Sequence, residues 1–262
     1  MTSWMLNGFS AFVVILVAAG VFFFVVTRGA LMWRALSGAQ GEDAHVYPLY
    51  SNMRLIKLID FQPIISAILL FQYKRMVSRI ISELAALDLR NRKALITSCA
   101  FGNVIPRVVN AAVEGGVERV LIIDILRNEL LRAETKVAQF SGKVEFVEGD
   151  ATALKREGGD VAANVIFFLL HELPHHLKGQ ALSEAGRMLA PGGRLLIAEF
   201  HRPDPWVLRA LSWTYFKVFE PLGLAIWDTH DPLHWLENAG GWTCERTTYF
   251  FGNFQIIIAT KH

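Results

Sequence analysis

The sequence predicts an α/β protein: a doubly wound sheet that ends in an antiparallel strand pair and is preceded by one N-terminal transmembrane helix. From residue 93 onward, short apolar runs alternate with helical segments, the pattern of a parallel sheet covered on both faces. Near the C terminus, Gly252 and Asn253 separate two strand-like runs, which indicates a tight turn between antiparallel strands. The first 27 residues carry no charged side chain. The predicted units are an anchor over residues 1–36, a linker and basic helical region over 37–92, and the sheet domain over 93–262.

The N-terminal segment has the length and composition of a membrane-spanning helix. Residues 9–27 are almost entirely apolar, and at about 1.5 Å per residue such a helix crosses the hydrocarbon core of a bilayer. A cleaved signal peptide is the alternative, but no basic residue precedes the run and no small-residue cleavage motif follows it closely. We therefore expect an anchor whose partner is the lipid bilayer.

The charges around this segment predict its orientation. No Lys or Arg precedes it, whereas Arg28 and Arg34 follow at once, and residues 28–93 hold ten Lys and Arg against five Asp and Glu. Basic residues next to a span stay on the cytoplasmic side, so the sequence predicts a single-pass protein of the inner (cytoplasmic) membrane with its globular domain in the cytoplasm. Because the whole chain has a net charge of only +2, the remainder is acidic and no nucleic-acid partner is indicated. Two cysteines, Cys99 and Cys244, fit a reducing compartment.

The region between the anchor and the sheet is predicted to be partly helical. Residues 37–45 have the composition of a flexible turn. The apolar run over residues 64–71 is flanked by Lys and Arg and is too short for an ordinary second span. It is predicted either to lie in the membrane interface or dock on a partner, or to pack as a domain helix on its own sheet. Beyond it, helical spacing relates Met76, Ile80, Ile81 and Leu84.

Five short apolar runs are predicted to form the parallel strands. They occupy residues 94–99, 119–124, 144–148, 164–170 and 194–200. Helices are predicted between them, at residues 105–114, 127–139 and 178–189. Residues 242–251 and 254–260 form the predicted antiparallel pair. In a doubly wound sheet the ligand binds outside the carboxyl ends of the strands, where the strand order reverses.

Candidate cofactor contacts follow the first three predicted strands. The first is followed by SCAFGN, in which Ser98, Cys99 and the single glycine, Gly102, are candidates. Asp124 ends the second strand, where an acid accepts hydrogen bonds from ribose hydroxyls. Asp150, with Ala151 beside it, follows the third, where a carboxylate meets an adenine amino group. Each acid alone is more often a helix cap, but their order along the chain indicates a nucleotide-type cofactor.

The fourth predicted strand is followed by HELPH, residues 171–175, which satisfies the template of zinc metalloproteases. That template requires one helix that carries both imidazoles on the same face, and Pro174 interrupts such a helix. We therefore predict no zinc protease site here and assign no metal-binding residue. His171, Glu172 and His201, which follow the fourth and fifth strands, are instead predicted to face the cofactor. In the first interpretation, His171 or His201 acts as general base or orients the substrate, and Glu172 fixes a histidine tautomer or joins a metal. In the second, all three side chains only satisfy polar groups of the loop backbone.

Three segments resemble a known family. They are FFLLHELP, LAPGGRLLIAEFHRP and FEPLGLAIW, and they resemble the rhodoquinone-biosynthesis methyltransferase-like family, relatives of the ubiquinone methyltransferases. The likeness covers roughly residues 94–238 and includes the Cys-x-x-Gly form of the first loop. It implies the Rossmann-like fold of class I S-adenosylmethionine-dependent methyltransferases, an S-adenosylmethionine cofactor and a membrane quinone as substrate.

Two functions are compatible with this sequence. The first is a membrane-anchored methyltransferase that acts on a quinone-like lipid. The second is a non-catalytic subunit that has lost its cofactor and stabilises a larger photosynthetic or respiratory membrane complex. The region before the sheet, VYPLYSNMRLIKLIDFQP, replaces an aromatic segment of the resembled family, and this departure leaves both functions open.

Overall fold

One seven-stranded sheet organises the part of the chain that the computed structural model describes, which is Val14 and residues 60–262. The strands are β1 Lys93–Thr97, β2 Arg119–Asp124, β3 Val144–Glu148, β4 Val161–Phe167, β5 Leu189–Phe200, β6 Trp242–Tyr249 and β7 Phe254–Lys261. The described helices are α1 Gln62–Ile68, α2 Tyr73–Ala85, α3 Val104–Glu114, α4 Arg127–Val137, α5 His175–Met188, α6 Trp206–Phe219 and α7 Pro232–Ala239. Short 3-10 helices occupy Ala138–Phe140 and Pro221–Trp227.

The strand order is β3-β2-β1-β4-β5-β7-β6. Strands β1 to β5 are parallel, and β7 is antiparallel to both of its neighbours, β5 and β6. One hydrophobic cluster joins the sheet to α2, α3 and α4, and a second joins its other face to α5 and α7. The order therefore reverses between β1 and β4, and the carboxyl ends of these two strands form the switch point at which doubly wound sheets bind ligands.

The predicted strand pattern is confirmed, with shifted ends at five of the seven strands. The bounds of β2 and β3 are those predicted. Strands β1 and β4 end two and three residues earlier than predicted, because the next residues, Ser98 and Phe168, turn the backbone to positive φ. Strand β5 begins earlier, at Leu189, because an irregularity in its pairing with β4 keeps the APGG segment within the strand.

The region before β1 packs into the core of the sheet domain. In α1 and the turn that follows it, Ile65 and Leu69 are buried, whereas Ile68 and Phe71 are about half and three-quarters exposed. In α2 the side chains of Met76, Val77, Ile80 and Leu84 are fully buried, and they share one hydrophobic cluster with β1, β4 and α3. Of the two predictions for the apolar run, a domain helix that packs on its own sheet is therefore the one that the structure shows.

The predicted inner-membrane localisation requires correction. In the part of the chain that the structure describes, no helix is long and apolar enough to cross a bilayer. The longest described helices have 14 residues, which span about 20 Å against a hydrocarbon core of about 30 Å. The prediction of a single-pass protein is wrong for these residues, and the segment that suggested it, residues 9–27, lies outside the described residues apart from Val14.

Candidate functional site

Two backbone turns open the switch point. Ser98 follows β1 with φ of 75°, and Phe168 follows the neighbouring strand β4 with φ of 56°. Both are non-glycine residues in the left-handed region, an arrangement that costs free energy and concentrates at binding sites. Each turn is held by one backbone hydrogen bond, from Ser98 N–H to the Ile123 carbonyl and from Phe168 N–H to the Ala198 carbonyl.

Asp124 connects the first two loops of the site. Its Oδ2 accepts hydrogen bonds from the Cys99 N–H at 2.7 Å and the Ser98 hydroxyl at 3.3 Å, and its Oδ1 accepts one from the Leu126 N–H at 2.8 Å. A carboxylate has about four acceptor positions, and the Cys99 thiol is a further donor to Asp124, so the protein's own groups engage all four. Burial raises the pKa of Asp124, and the hydrogen bonds oppose that shift. Burial also raises the pKa of the Cys99 thiol well above its usual range, so Cys99 is a neutral wall of the site.

The loop that contains Gly102 is closed on one side by the chain itself. Gly102 has φ of 80°, and an added Cβ would lie 2.6 Å from the Tyr73 hydroxyl oxygen and 3.1 Å from Gln62 Oε1. The same Gln62 oxygen accepts a hydrogen bond from the Asn103 N–H at 3.1 Å. Glycine is therefore required here by the left-handed backbone and by close packing of α1 and α2.

A buried carboxylate and the lysine paired with it fix the two polar backbone groups of Gly102. Asp60, whose side chain is 1% exposed, accepts hydrogen bonds from the Gly102 N–H at 2.7 Å and from Arg132 Nε at 2.8 Å. Lys136 donates to Asp60 and also to the Gly102 carbonyl, at 3.0 Å. We refer to Asp60, Arg132 and Lys136 as the Asp60 clamp. It stabilises a one-glycine loop through charged partners from two other segments.

Glu129 is the second buried acid beside Asp124. It lies in the first turn of α4, directly beyond the carboxyl end of β2, and is 4% exposed. Among the described residues, its Oε1 has no hydrogen-bond partner. Burial, reinforced by the charge of Asp124, raises the pKa of Glu129 to about 8. A buried polar atom without a partner costs about 1–3 kcal/mol, so this oxygen is well suited to accept a hydrogen bond from a ligand.

Asp150 and Ala151 lie beyond β3. Asp150 Oδ1 accepts hydrogen bonds from the N–H and the hydroxyl of Thr152, at 2.8 and 2.7 Å, in a turn that closes on itself. The strands β2 and β3 are held together here by the hydrogen bond from the Gly149 N–H to the Asp124 carbonyl. Asp150 is exposed and Ala151 half-buried, which leaves this edge of the site accessible to a base.

His171 forms a buried pair with Glu199. Its Nδ1 lies 3.0 Å from Glu199 Oε1, its backbone N–H donates to Oε2 at 3.2 Å, and Glu199 is fully buried within β5. Burial lowers the pKa of His171, but the charge and hydrogen bond of Glu199 outweigh it and raise the pKa to about 9. His171 is therefore protonated at neutral pH. The ring also lies 3.9 Å, through Nε2, from Glu172 Oε1.

Lys178 fixes the turn that carries His171 and Glu172. This residue of α5 is 2% exposed and donates to the carbonyls of Leu170 and Leu173. Burial lowers its pKa to about 8. Since α5 begins at His175, the residue after Pro174, His171 lies outside the helix, and the two imidazoles of HELPH do not share a helical face.

An aromatic wall lies over His171. Phe200 packs edge-on against His171, with ring centroids 4.9 Å apart, and against Phe168 and Phe216 at the same separation. The 3-10 helix Pro221–Trp227 closes on this wall at Gly223, where an added Cβ would lie 2.8 Å from the Phe216 ring and 3.3 Å from His171 Cβ. The FEPLGLAIW segment thus covers the histidine.

His201 makes its contacts at the hairpin end of the sheet. Its Nδ1 lies 2.7 Å from the Gly252 carbonyl, and Arg246 donates to its Nε2 at 3.3 Å. Arg246 also pairs with Asp231, the N-cap of α7. These partners belong to the β6–β7 hairpin and α7, and within residues 60–262 no side-chain hydrogen bond joins His201 to His171 or Glu199.

Four residues of the site were missed from the sequence. Glu199 carried a signal, an acid inside an otherwise apolar strand. Glu129 and Lys178 look like ordinary helix surface residues, and Asp60 looks like an isolated acid next to an apolar run. The three latter residues are buried only because distant segments close over them.

The fold and the site together define a class I methyltransferase-type domain, with acids at the ends of its first strands and a reversed strand order between β1 and β4. The family comparison agrees: the ubiE/COQ5 methyltransferase family matches residues 60–244. The chain belongs to this family. The match begins at Asp60, so α1 and α2 fall within it.

Curated relatives carry names from quinone biosynthesis. The ubiquinone/menaquinone biosynthesis C-methyltransferase UbiE of Methylobacterium nodulans is 32% identical over 154 residues, covering 57% of this chain and 58% of that protein. A demethylmenaquinone methyltransferase of Beutenbergia cavernae is 38% identical over 96 residues, covering 36% of this chain and 39% of that protein. The chain spans little more than half the length of the first such relatives.

Crystal structures of methyltransferases share the fold. An O-methyltransferase family protein from Burkholderia thailandensis has a TM-score of 0.57 and 18% identity, covering 85% of this chain and 63% of its own. The N-methyltransferase NodS from Bradyrhizobium japonicum, in complex with S-adenosyl-L-homocysteine, has a TM-score of 0.53 and 15% identity, covering 78% and 90%.

These findings confirm the predicted superfamily and its S-adenosylmethionine cofactor. The matched family is the ubiE/COQ5 one, and a closer relation to rhodoquinone-biosynthesis proteins is not shown. The residues present fit the cofactor, because Asp124 ends β2 beside the loop after β1 and the buried Glu129 Oε1 has no hydrogen-bond partner among the described residues.

Proposed function

We propose that this protein is an S-adenosylmethionine-dependent methyltransferase whose substrate is a quinone-like lipid. The observation that carries the proposal is family membership together with Asp124, which ends β2 and holds the loop after β1 through the Cys99 N–H. The names of the relatives point to a quinone precursor as the substrate class. Because the match covers little more than half of each of these relatives, the methyltransferase activity of the whole protein is also part of the proposal.

Asp124 and the backbone of the Cys99 loop would hold the cofactor, with Asp150 at the side of the adenine. When bound, S-adenosylmethionine supplies an electrophilic methyl group. The Asp60 clamp fixes the loop beforehand, so little conformational freedom is lost on binding. The aromatic wall of Phe168, Phe200 and Phe216 offers apolar surface that suits a planar quinol ring.

In this proposal His171 orients the substrate and stabilises its ionised oxygen. Because its pKa lies near 9, the imidazolium is a poor general base at neutral pH and a good hydrogen-bond donor. With Nδ1 engaged by Glu199, Nε2 is the nitrogen that can donate to a quinol oxygen and stabilise it as an anion. An ionised oxygen makes the ring carbon beside it more nucleophilic. Glu172 Oε1, 3.9 Å from Nε2, is a carboxylate placed to accept the oxygen's proton.

Within this class, we propose precursors of ubiquinone or menaquinone in preference to those of rhodoquinone. The matched family and the curated relatives support this choice. The three segments that suggested the rhodoquinone family are compatible with either class of precursor, since they form the end of β4, the strand β5 and the 3-10 helix around His171.

The test is calorimetric titration of S-adenosylmethionine into the full-length protein, followed by a methyl-transfer assay with demethylated quinols. We expect micromolar binding, about −8 kcal/mol, and a loss of roughly 1–3 kcal/mol in the Asp124→Ala variant. Glu83→Gln is the control, because Glu83 pairs with Arg79 and Arg194 away from these loops. No binding at millimolar cofactor would refute the enzyme and leave the non-catalytic subunit.

A further inference from the structure

Glu129 is a buried acid whose position requires an explanation beyond packing. Burying a carboxyl group without satisfying its oxygens is costly, yet Glu129 is 4% exposed and its Oε1 has no partner among the described residues. An apolar side chain of similar size would fill the same space more favourably. The oxygen is therefore a site of unmet hydrogen-bonding capacity within the candidate cofactor site.

Charged groups from several loops of the site act on the Glu129 carboxyl group. Its pKa responds to Asp124 at the end of β2, Lys136 on its own helix, Asp60 before α1 and Glu172 after β4. The pKa of Cys99, in the loop after β1, responds to Glu129 in turn. Groups from each segment that surrounds the switch point thus lie within electrostatic reach of this one carboxyl group.

The hydrogen bonds of Asp124 leave the cofactor short of acceptors. Its roughly four acceptor positions are engaged by the N–H and the thiol of Cys99, the Ser98 hydroxyl and the Leu126 N–H. The two hydroxyls of a ribose need two acceptors. Glu129, in the first turn of the helix after Asp124, has a buried Oε1 without a hydrogen-bond partner among the described residues.

We propose that Glu129 is a direct cofactor-binding residue, which accepts a hydrogen bond from S-adenosylmethionine and loses its proton as this cationic ligand binds. The inference rests on the proposed function and adds a residue and a coupled proton to it. S-adenosylmethionine carries a sulfonium, an ammonium and a carboxylate, a net charge of +1, and a nearby cation favours the ionised carboxyl group. The proton passes to the solvent, and no other bond changes.

The direction of the coupling follows from the pKa of the free protein, about 8. At pH 7 the free protein holds the proton on Glu129, so binding of the cation releases up to about one proton. Above about pH 9 the group is already ionised and the release disappears. S-adenosylhomocysteine lacks the sulfonium charge and releases a smaller fraction.

The experiment is calorimetric titration of the full-length protein in buffers of different ionisation enthalpy, with both ligands, between pH 6.5 and 9.5. Glu129→Gln should bind S-adenosylmethionine about 5- to 30-fold more weakly at pH 8.5 and should abolish the difference in proton release between the two ligands. The ammonium groups of the ligands titrate equally with both proteins, so the comparison isolates Glu129. Glu134→Gln, an exposed acid on the same helix, should change neither quantity.

A second variant separates binding from structure. Glu129→Met fills the space without a polar atom, so we expect a higher melting temperature together with weaker cofactor binding. If both Glu129 variants bind within twofold of the wild type and release the same number of protons, the inference is overturned while the proposed function stands. If the wild type itself fails to bind S-adenosylmethionine, both are overturned.

Discussion

The electrostatic state of His171 is determined mainly by one neighbour, Glu199. Removal from water disfavours the imidazolium, yet Glu199 reverses this effect because the carboxylate is itself buried and lies 3.0 Å away. The pair also explains why an acid occurs inside β5, a strand that is otherwise apolar. At the scale of one residue, then, the protein uses a buried charge to keep a histidine protonated.

This pairing predicts a pH dependence of stability. The folded-state pKa of His171, about 9, lies above the unfolded value near 6.5, so the stabilisation is fully present below pH 6.5 and is lost as the pH rises through 9. A shift of this size corresponds to roughly 3 kcal/mol. We expect the unfolding free energies of wild type and His171→Gln to converge between pH 6.5 and 9.5, as followed by urea denaturation.

Nuclear magnetic resonance of histidine-labelled protein provides the direct control. The His171 ring should titrate near pH 9 in the wild type and at a clearly lower pH in Glu199→Gln, where only the charges of Glu172 and Glu220 oppose the effect of burial. A His171 titration near 6.5 in the wild type would contradict the assigned pairing.

At the scale of elements, the loop after β1 shows how one glycine can suffice. In multi-glycine loops the backbone is free to approach a ligand, whereas here Gly102 has both polar groups bound by the Asp60 clamp and its open face covered by Tyr73. The loop is rigid through its contacts with α1, α2 and α4. The sequence shows the lack of glycine, but it cannot show the carboxylate, 42 residues earlier, that compensates for it.

Removing the clamp should therefore affect both stability and cofactor binding. We expect Asp60→Ala to lower the unfolding free energy by about 3–5 kcal/mol, since it leaves Arg132 and Lys136 without their buried partner, and to weaken binding of S-adenosylmethionine. Asp60→Asn, which keeps one acceptor for the Gly102 N–H, should retain more affinity than Asp60→Ala.

The matched control for the clamp is Glu83→Gln. Glu83 is also an acid before β1 that pairs with two basic residues, but its partners are Arg79 and Arg194, on α2 and β5. This change should cost about 1 kcal/mol and leave the cofactor affinity, measured by calorimetry, unchanged. Equal losses of affinity in the Asp60 and Glu83 variants would show that the clamp acts only on global stability.

Elements with a local signature were predictable from the sequence, and elements defined by packing were not. The bounds of β2 and β3 followed from apolar runs between polar residues, and the β6–β7 hairpin followed from Gly252 and Asn253. Helices α6 and α7 and the 3-10 helix after α6 had not been predicted. That region is rich in aromatic residues without a clean helical period, and its conformation depends on contacts such as that of Phe216 with Phe200.

The site divides in the same way. Asp124 and His171 could be placed because strand ends in a doubly wound sheet converge on the switch point. The position of His201 was predicted less well, because β7 inserts beside β5 and the hairpin supplies its partners, Gly252 and Arg246. Buried helix residues such as Glu129 and Lys178 depend on tertiary closure, for which a single sequence carries no local signal.

At the scale of the whole molecule, the segment before β1 and the sheet share one core. Ile80 of α2 is fully buried in the cluster that contains Ile96 of β1 and Val165 of β4. Residues in one such cluster lose their contacts together when the domain unfolds. We therefore expect residues 60–92 and the sheet to behave as one cooperative unit, even though the sequence suggested a separate region.

Ile80→Ala tests this cooperativity. The change removes buried methyl groups and should lower the global unfolding free energy by about 2–4 kcal/mol, whereas Ile68→Ala, on the half-exposed face of α1, should change it by less than about 0.5 kcal/mol. Hydrogen exchange should report an equal fall in protection at the amides of α2 and of β4, because both open only when the whole core opens. A fall confined to α2 would show that this helix is a separate folding unit, and in that case the Tyr73 and Asp60 contacts with the Gly102 loop could open while the sheet stays folded.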